Sequence, residues 1–434
     1  MASLNQQPLS RIRDLATYST PALWVGLYTS AYVGRLSELF PALQYISFLR
    51  LSFIGAAFVA YFGTKKNKSA RLKSTPLEKY VVAFPILIAI SIPVSIYVSN
   101  SLTLAPAIII LFLSVALIVQ TLQTLNDVIA VSRFLAGSAA IIAIPLLLTY
   151  KTGRAQFVGS SYDPNDAAYV LVTLLPLVSA SCSLARTYLR VAWALLVPLI
   201  ITAIVLTGSR GGMLALAVFA AGWCIFPIQQ KKDGSVLEAS FSSKVLRVFF
   251  IIFSFSILLN VIPDSIRERL GTLLSIGSDY NVSTSSNLSR TLIWSRDIIA
   301  VVKRPIGFGL GSAYVVDGLN GGAYMTAHNS LVQVLVELGL AGLIVYIAIY
   351  FSAFSRVRAA GARTGKNSTP DPYGPLLARA LRTSLVCNFV AGFFLSQGYS
   401  PVFWCLIALC IAFEKVTALR REIPSYAKRS KVFK

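Results

Sequence analysis

Histidine occurs once in this 434-residue chain, as His328 in the segment AYMTAHNSLVQVLVELGLAG. It stands at the start of a long apolar run, which predicts that its imidazole lies at the N-terminal end of a helix. The partial positive charge of a helix N-terminus disfavours imidazolium, so we expect a neutral ring that can take a proton from a hydroxyl near pH 7. A purely structural histidine is the alternative, and without a second histidine a shared metal site is not indicated.

Two arginines are further candidates. Arg210 stands in TGSRGGMLALA beside Gly211 and Gly212, which would let other backbone or a ligand come close. Arg290 stands in the first turn of a predicted helix, four residues before Trp294, and could point into a cleft. The alternatives are a side chain that reaches the membrane interface for Arg210 and a solvated helix-face charge for Arg290.

Glycines and acids form a third group. Gly307, Gly309 and Gly311 alternate in RPIGFGLGSAY, where their backbone N–H groups could approach a phosphate, although a flexible turn explains them as well. Asp163 and Asp166 in SYDPND open an apolar run. They could bind a sugar hydroxyl or cap a helix.

Glu337 follows His328 by nine residues, about 13.5 Å along a helix and on its opposite side. It therefore cannot be the direct partner of His328. A carboxylate inside a membrane span costs roughly 2.5–3.5 kcal/mol and normally finds a partner. We expect Glu337 to make a buried structural contact with a basic or polar group from another span.

The elements that would position these residues are membrane spans. Hydrophobic residues make up 56% of the chain and charged residues 13%, with apolar runs along its whole length, which predicts an all-α polytopic membrane protein. We predict about twelve transmembrane helices. They begin near Thr17, Ile46, Lys79, Leu102, Val128, Asp166, Tyr188, Gly212, Leu246, Asn329, Leu376 and Ser400.

The distribution of basic residues predicts the orientation. Short loops rich in Lys and Arg stay in the cytoplasm, which places both termini there and His328 on the periplasmic face. The predicted outer side then holds Arg35, Arg50, Lys151, Arg154, Arg210, Arg267, Arg269, Arg290, Arg296, Lys303 and Arg304. The net charge of +22 falls mainly on cytoplasmic segments, where anionic lipids neutralise it, so a nucleic-acid partner is not expected.

This topology divides the chain into four parts. Residues 1–262 carry spans one to nine, residues 263–328 form one large periplasmic loop, residues 329–417 carry the last three spans, and residues 418–434 form a basic cytoplasmic tail. The loop contains two predicted short helices. DSIRERLGTLLSIG has the spacing of a helix on the membrane surface, and SRTLIWSRDIIAVVKRP predicts a helix that begins near Asn287 or Ser289 and ends before Pro305.

Four motifs in order resemble the bacterial O-antigen ligase family, which includes lipopolysaccharide ligases and surface-polysaccharide polymerases. They are SRGG at 209–212, SRxxxW at 289–294, RPxGxGxG at 304–311, and HNxxxxxxxExGxxG at 328–342. The matching region covers roughly a third of the chain. Each motif is weak alone, but the four in this order are fairly specific.

The resemblance implies glycosyl transfer on the periplasmic face of the bacterial inner membrane, from undecaprenyl diphosphate to an acceptor hydroxyl, with neither metal nor nucleotide cofactor. Arg210 and Arg290 would hold the diphosphate, and His328 would act as general base with inversion. Asn329 adjoins the base and is a candidate substrate contact, whereas Asp163 and Asp166 match no family motif.

Four functions remain open. A ligase would use lipid A core as acceptor, and a polymerase would use another lipid-linked glycan. Protein O-oligosaccharyltransferases share the signature but usually carry a longer C-terminal region. A polysaccharide or lipid transporter without catalysis is the alternative from another class, although transporters tend to show paired repeats and midplane contacts. We expect the ligase on family frequency alone.

Overall fold

A computed structural model of the chain describes residues 18–64, 74–185, 187–225, 228–230, 236–238, 245, 249, 263–271, 289–365 and 373–429. The described helices are α1 (Thr20–Val33), α2 (Leu36–Leu39), α3 (Pro41–Tyr45), α4 (Phe48–Thr64), α5 (Pro76–Ser91), α6 (Val98–Thr121), α7 (Leu125–Leu148), α8 (Pro164–Leu184), α9 (Thr187–Leu206), α10 (Arg210–Ile225), α11 (Asp264–Gly271), α12 (Arg290–Lys303), α13 (Ala313–Leu319), α14 (Ser330–Gly365), α15 (Tyr373–Gly392) and α16 (Pro401–Arg429). Two three-residue strands, β1 (Ile228–Gln230) and β2 (Val236–Glu238), pair antiparallel. The protein is a helical, multi-pass membrane protein.

Membrane spans are assigned by helix length and hydropathy. Six described helices are long and apolar enough to cross a bilayer, namely α6, α7, α8, α9, α14 and α16, and α4 and α10 are shorter apolar helices. Eleven of the twelve predicted spans coincide with a helix in the described part of the chain. The ninth predicted span lies outside the described residues, so the number twelve stays a prediction.

The centre of the bundle is formed by α8 and α16. In the most apolar 18-residue stretch of the spans Pro401–Ala418 and Pro164–Leu184, 89% and 78% of the residues are buried inside the protein, compared with 22% in Tyr188–Leu206 on α9. Buried Asn388 on α15 donates to the Tyr169 hydroxyl on α8 at 2.8 Å and accepts from the Tyr350 hydroxyl on α14 at 2.6 Å. This network joins three helices through groups that would be costly to bury without partners.

The α14 helix is broken at Gly339, where φ is 68° and ψ is −166°. A built Cβ on Gly339 would lie 2.2 Å from the carbonyl oxygen of Pro305, so no larger residue fits there. The segment around Pro305 supplies the hydrogen bonds that the break leaves open: Leu340 N donates to Pro305 O at 2.9 Å, and Phe308 N donates to Val336 O at 2.8 Å. The loop before His328 is thereby inserted into the bundle beside the first turns of α14.

The loop helices agree in part with the sequence prediction. The α12 helix follows Ser289 and ends at Lys303, as predicted. The described part of α11 is Asp264–Gly271, and the rest of the predicted surface helix DSIRERLGTLLSIG lies outside the described residues. Ile266 on α11 is 1% exposed and belongs to the main hydrophobic cluster, so this side chain packs on protein rather than lying on a membrane surface.

Two ion pairs lie at the end of the bundle opposite His328. Lys415 pairs with Glu78 at 2.7 Å, and Arg356 pairs with Glu414 at 2.7 Å. Lys415 and Arg356 both belong to the segments that the basic-residue pattern assigns to the cytoplasm. The first turns of α8, α10 and α14 lie at the other end, which we call the His328 end.

Candidate functional site

His328 directly precedes the residue that caps α14. Asn329 Oδ1 accepts hydrogen bonds from the backbone N–H groups of Leu331 at 2.9 Å and Val332 at 3.2 Å, which is the pattern of an N-cap. His328 itself has φ of 46°, in the left-handed region that non-glycine residues rarely adopt. The cap oxygen of Asn329 is therefore engaged with the helix, and its predicted contact with substrate stays a prediction.

The electrostatic surroundings of His328 favour the neutral ring. Burial lowers the pKa of the His328 imidazole below its ordinary value, and the positive charge of neighbouring Arg290 lowers that pKa further. Asp163 acts in the opposite direction. The sequence predicted a neutral histidine from the helix dipole, and in the structure burial and Arg290 shift the pKa of His328 in the direction that favours the neutral ring.

Arg290 is the first residue of α12, and its side chain is half-buried. One turn further along, the indole N–H of Trp294 donates to the carbonyl oxygen of Ala327 at 2.6 Å, and the Trp294 ring packs edge-on against Phe393 at 5.6 Å. One short helix thus carries the arginine and contacts the residue before His328. The two motifs are joined in space although Arg290 and His328 are 38 positions apart in the sequence.

Arg210 is the first residue of α10, at the same end of the bundle. A built Cβ on Gly211 would lie 3.0 Å from Phe394, and one on Gly212 would lie 2.8 Å from Ala168. These two glycines therefore let the first turn of α10 pack closely against the side chains of Phe394 and Ala168. Phe394 precedes Leu395, whose carbonyl oxygen accepts from the Ser330 hydroxyl at 2.7 Å, so the start of α10 and the start of α14 meet at one short segment.

Two further arginines gather around the turn before Arg210. Arg154 Nε donates to Thr207 O at 2.7 Å, and Arg269 Nε donates to Gly208 O at 3.0 Å. Sequence analysis placed both arginines on the outer side but did not assign them to a site. The available signal was the surplus of arginine in the predicted outer segments, which gives no information on which of these side chains converge.

The acidic residues of SYDPND have structural partners. Asp163 Oδ1 accepts from the backbone N–H groups of Asn165 at 2.7 Å and Asp166 at 2.8 Å, so Asp163 caps α8, as the capping alternative predicted. Asp166 accepts from Gln397 Nε2 at 2.7 Å, and Asn165 accepts from Arg154 at 2.7 Å. Sugar binding by Asp163 and Asp166 stays a prediction.

The glycine segment packs against α14. Gly309 N donates to Glu337 O at 2.9 Å and Gly307 N donates to Arg304 O at 3.0 Å, so both N–H groups already have protein acceptors. A built Cβ on Gly309 would lie 2.3 Å from Ser95, and one on Gly311 would lie 2.4 Å from Leu104. The contacts favour a packing role for these glycines, and phosphate binding stays a prediction.

Glu337 is buried, with 2% of its surface exposed, and accepts a hydrogen bond from the hydroxyl of Tyr399 at 2.8 Å. Tyr399 stands just before α16. The carboxylate therefore has a polar partner from a neighbouring part of the bundle. Its position below the first turn of α14 separates it from His328.

A cavity of about 500 Å³ opens beside Arg154, within the segment between α7 and α8. Its lining comes from residues 149–152 and 154–160. This volume is within the range of small-molecule sites. Within the described ranges, no three His, Cys, Asp or Glu side chains lie together as metal ligands would.

Comparison with known families supports the resemblance found in the motifs. Residues 175–347 match the family model described as O-antigen ligase. The matched region runs from within α8 to within α14, contains all four motifs, and supports assignment of the chain to the O-antigen ligase and polymerase family of membrane glycosyltransferases. No curated protein matched the chain.

Proposed function

We propose that the protein transfers a glycan from undecaprenyl diphosphate to an acceptor hydroxyl at the His328 end of the bundle. The topology predicted from the basic residues assigns this end to the periplasm and both termini to the cytoplasm of a bacterial inner membrane. The observation that carries the proposal is the hydrogen bond of 2.6 Å from the Trp294 indole to Ala327 O, which joins the helix that begins with Arg290 to the residue before half-buried His328.

The reaction needs one proton acceptor and one site for a departing anion. His328 takes the proton of the acceptor hydroxyl while the oxygen attacks the anomeric carbon of the donor glycan. The bond between that carbon and the diphosphate oxygen breaks, its electron pair stays on the diphosphate, and the glycosyl configuration inverts. General-base catalysis of this kind contributes roughly 10²- to 10⁴-fold to a rate.

Arg290 and Arg210 hold the diphosphate in this scheme. Guanidinium groups form two-donor contacts with phosphate oxygens and stabilise the negative charge that develops as the bond breaks. Arg154 and Arg269 hold the turn that precedes Arg210 and add positive charge to the same region. The proposed mechanism uses no metal ion.

A finer choice is the acceptor. The chemistry is the same for a ligase, which would use a hydroxyl of lipid A core, and for a polymerase, which would use a second lipid-linked glycan. We favour the ligase, in line with the description of the matching family model. The cavity beside Arg154 is a candidate position for acceptor sugars.

The test is reconstitution of the purified protein in liposomes with undecaprenyl-diphosphate glycan, first alone and then with lipid A core. A product that requires the core lipid supports the ligase, and a ladder of longer glycans from donor alone supports the polymerase. Donor that crosses the bilayer chemically unchanged would overturn the enzymatic proposal and support a transporter.

A further inference from the structure

The segment from Tyr324 to His328 has unusual backbone geometry at both ends. Tyr324 has φ of 57° and His328 has φ of 46°, and both values lie in the left-handed region that side chains with a Cβ disfavour. Such conformations persist where surrounding contacts impose them. The contacts of this segment therefore identify what holds His328 in place.

The first contact is made by Trp294. Its indole N–H donates to Ala327 O at 2.6 Å, and Ala327 is fully buried in a small hydrophobic cluster with Val332 and Val336 of α14. The carbonyl that precedes the His328 amide is thus fixed by a hydrogen bond to α12. Rotation of that peptide would break this hydrogen bond, and Ala327 O is the only acceptor for the Trp294 indole among the described residues.

The second contact is made by Asp317, which is fully buried. One carboxylate oxygen accepts from Arg296 Nε at 2.8 Å and lies 2.6 Å from its Nη2, and the other accepts from Met325 N at 3.1 Å. Asp317 thereby connects α12 to the residue three positions before His328. A Cβ built on Gly322 would lie 2.2 Å from the Asp317 carboxylate, which shows how closely the loop wraps around this group.

We propose that Trp294 and Asp317 are positioning residues for His328. Trp294 lies on α12, and Asp317 on α13 is held to α12 by its pair with Arg296. Because α12 also begins with Arg290, this helix sets the spacing between the proposed base His328 and Arg290, which is proposed to hold the diphosphate. The inference rests on the proposed function for its catalytic meaning, while the positioning itself can be measured without catalysis.

The single histidine makes that measurement direct. Protein expressed without a histidine tag and labelled with ¹⁵N-histidine gives ring signals from His328 alone. The ring pKa is followed by NMR in wild type, Trp294→Phe and Asp317→Asn. Trp294→Phe keeps an aromatic ring against Phe393 and removes the N–H donor.

The matched control is Trp404→Phe. Trp404 is fully buried, whereas Trp294 is partly buried, and like Trp294 it donates its indole N–H to a backbone carbonyl, that of Gly398, at 3.1 Å. This variant loses the same kind of hydrogen bond without touching the segment from Tyr324 to His328. Thermal unfolding of all variants reports the general cost of the lost contacts.

We expect the pKa of His328 to rise toward its ordinary value in Trp294→Phe and Asp317→Asn, because the ring moves away from Arg290 and becomes more hydrated. In Trp404→Phe it stays at the wild-type value. We also expect both test variants to lower the transfer rate about 10- to 100-fold with a nearly unchanged KM for donor, as displacement of a catalytic group does.

Wild-type titration of His328 in both test variants would overturn the positioning role, even if their transfer rates fell. Retained transfer in a His328→Ala protein would instead overturn the proposed function and leave the NMR result valid. If Trp294→Phe does not fold, Asp317→Asn decides the question, since it changes no aromatic packing.

Discussion

The indole N–H of Trp294 and the carbonyl oxygen of Ala327 are 2.6 Å apart, which ties α12 to the residue before His328. Trp294 lies four residues after Arg290 on the same helix. The distance between His328, the proposed base, and Arg290, which is proposed to bind the diphosphate, is therefore set by one turn of helix and one hydrogen bond. This relationship connects two motifs that are far apart in sequence.

Binding of a diphosphate should raise the pKa of His328. The positive charge of Arg290 lowers that pKa in the protein alone, and an anion held by Arg290 would offset this charge. Titration of the ¹⁵N-histidine signal with and without undecaprenyl diphosphate checks the expectation, with chloride at equal ionic strength as the control. An unchanged or lower pKa at saturation would mean that the anion does not bind near His328.

Substitution of Arg210 by lysine should lower the transfer rate by about 100-fold, because lysine cannot make a planar two-donor contact with phosphate. Arg50→Lys on α4, at an exposed position, is the matched control and should keep wild-type activity. Both rates are measured with lipid-linked glycan in liposomes. Equal rates for the two variants would remove Arg210 from the diphosphate site.

Asp297 should make stability depend on pH. It is fully buried, neither of its oxygens has a hydrogen-bond partner among the described residues, and burial together with the nearby Asp317 charge raises its pKa to about 7. Folding therefore favours the protonated carboxyl of Asp297. The free energy of unfolding is highest below the unfolded pKa of about 4 and falls as pH rises toward 7, because the folded protein must then bury a charged carboxylate.

The corresponding variant is Asp297→Asn, which should unfold at a higher temperature than wild type at pH 8, with a difference that shrinks as pH falls toward 4. Thermal unfolding in detergent measures it. Glu268→Gln on α11 is an exposed carboxylate control and should show no such trend. A constant difference between Asp297→Asn and wild type at all pH values would contradict the assignment.

Helix positions were predictable because lipid leaves the backbone few alternatives to helix, and long apolar runs therefore become helices. The cap at Asp163 and the end of α12 before Pro305 followed from local chemistry in the same way. The break at Gly339 could not be predicted, since a glycine inside an apolar run usually continues a helix. It depends on the carbonyl of Pro305, which only the folded chain brings close.

The candidate site was predictable as residue types and not as an arrangement. His328, Arg210 and Arg290 could be selected from motifs, but Arg154 and Arg269 join the region through hydrogen bonds to carbonyls more than 50 residues away in the chain. Such contacts leave no periodic pattern in the sequence. The packing contacts of Gly307 and Gly309 likewise depend on the broken α14 helix.

Removal of the Asn388 side chain should destabilise the bundle without changing the site. In Asn388→Ala, the hydroxyls of Tyr169 and Tyr350 each lose the hydrogen bond that they make with Asn388. This loss should lower the free energy of unfolding by about 1–3 kcal/mol. Thermal unfolding should show a lower midpoint while the His328 titration stays unchanged. A shift in the His328 pKa would show that this network also supports the site.

The most direct measurement compares the pH dependence of transfer with the ionisation of His328 in the same preparation. Initial rates of glycan transfer are recorded from about pH 5 to about pH 8 at low donor concentration, and the His328 pKa is measured by NMR in the free protein. We predict that the rate falls on the acid side at the pKa of His328 and that His328→Ala loses roughly 10²- to 10⁴-fold of the rate. A wild-type rate in His328→Ala, or an acid limb unrelated to the measured pKa, would contradict a role for this histidine as the base.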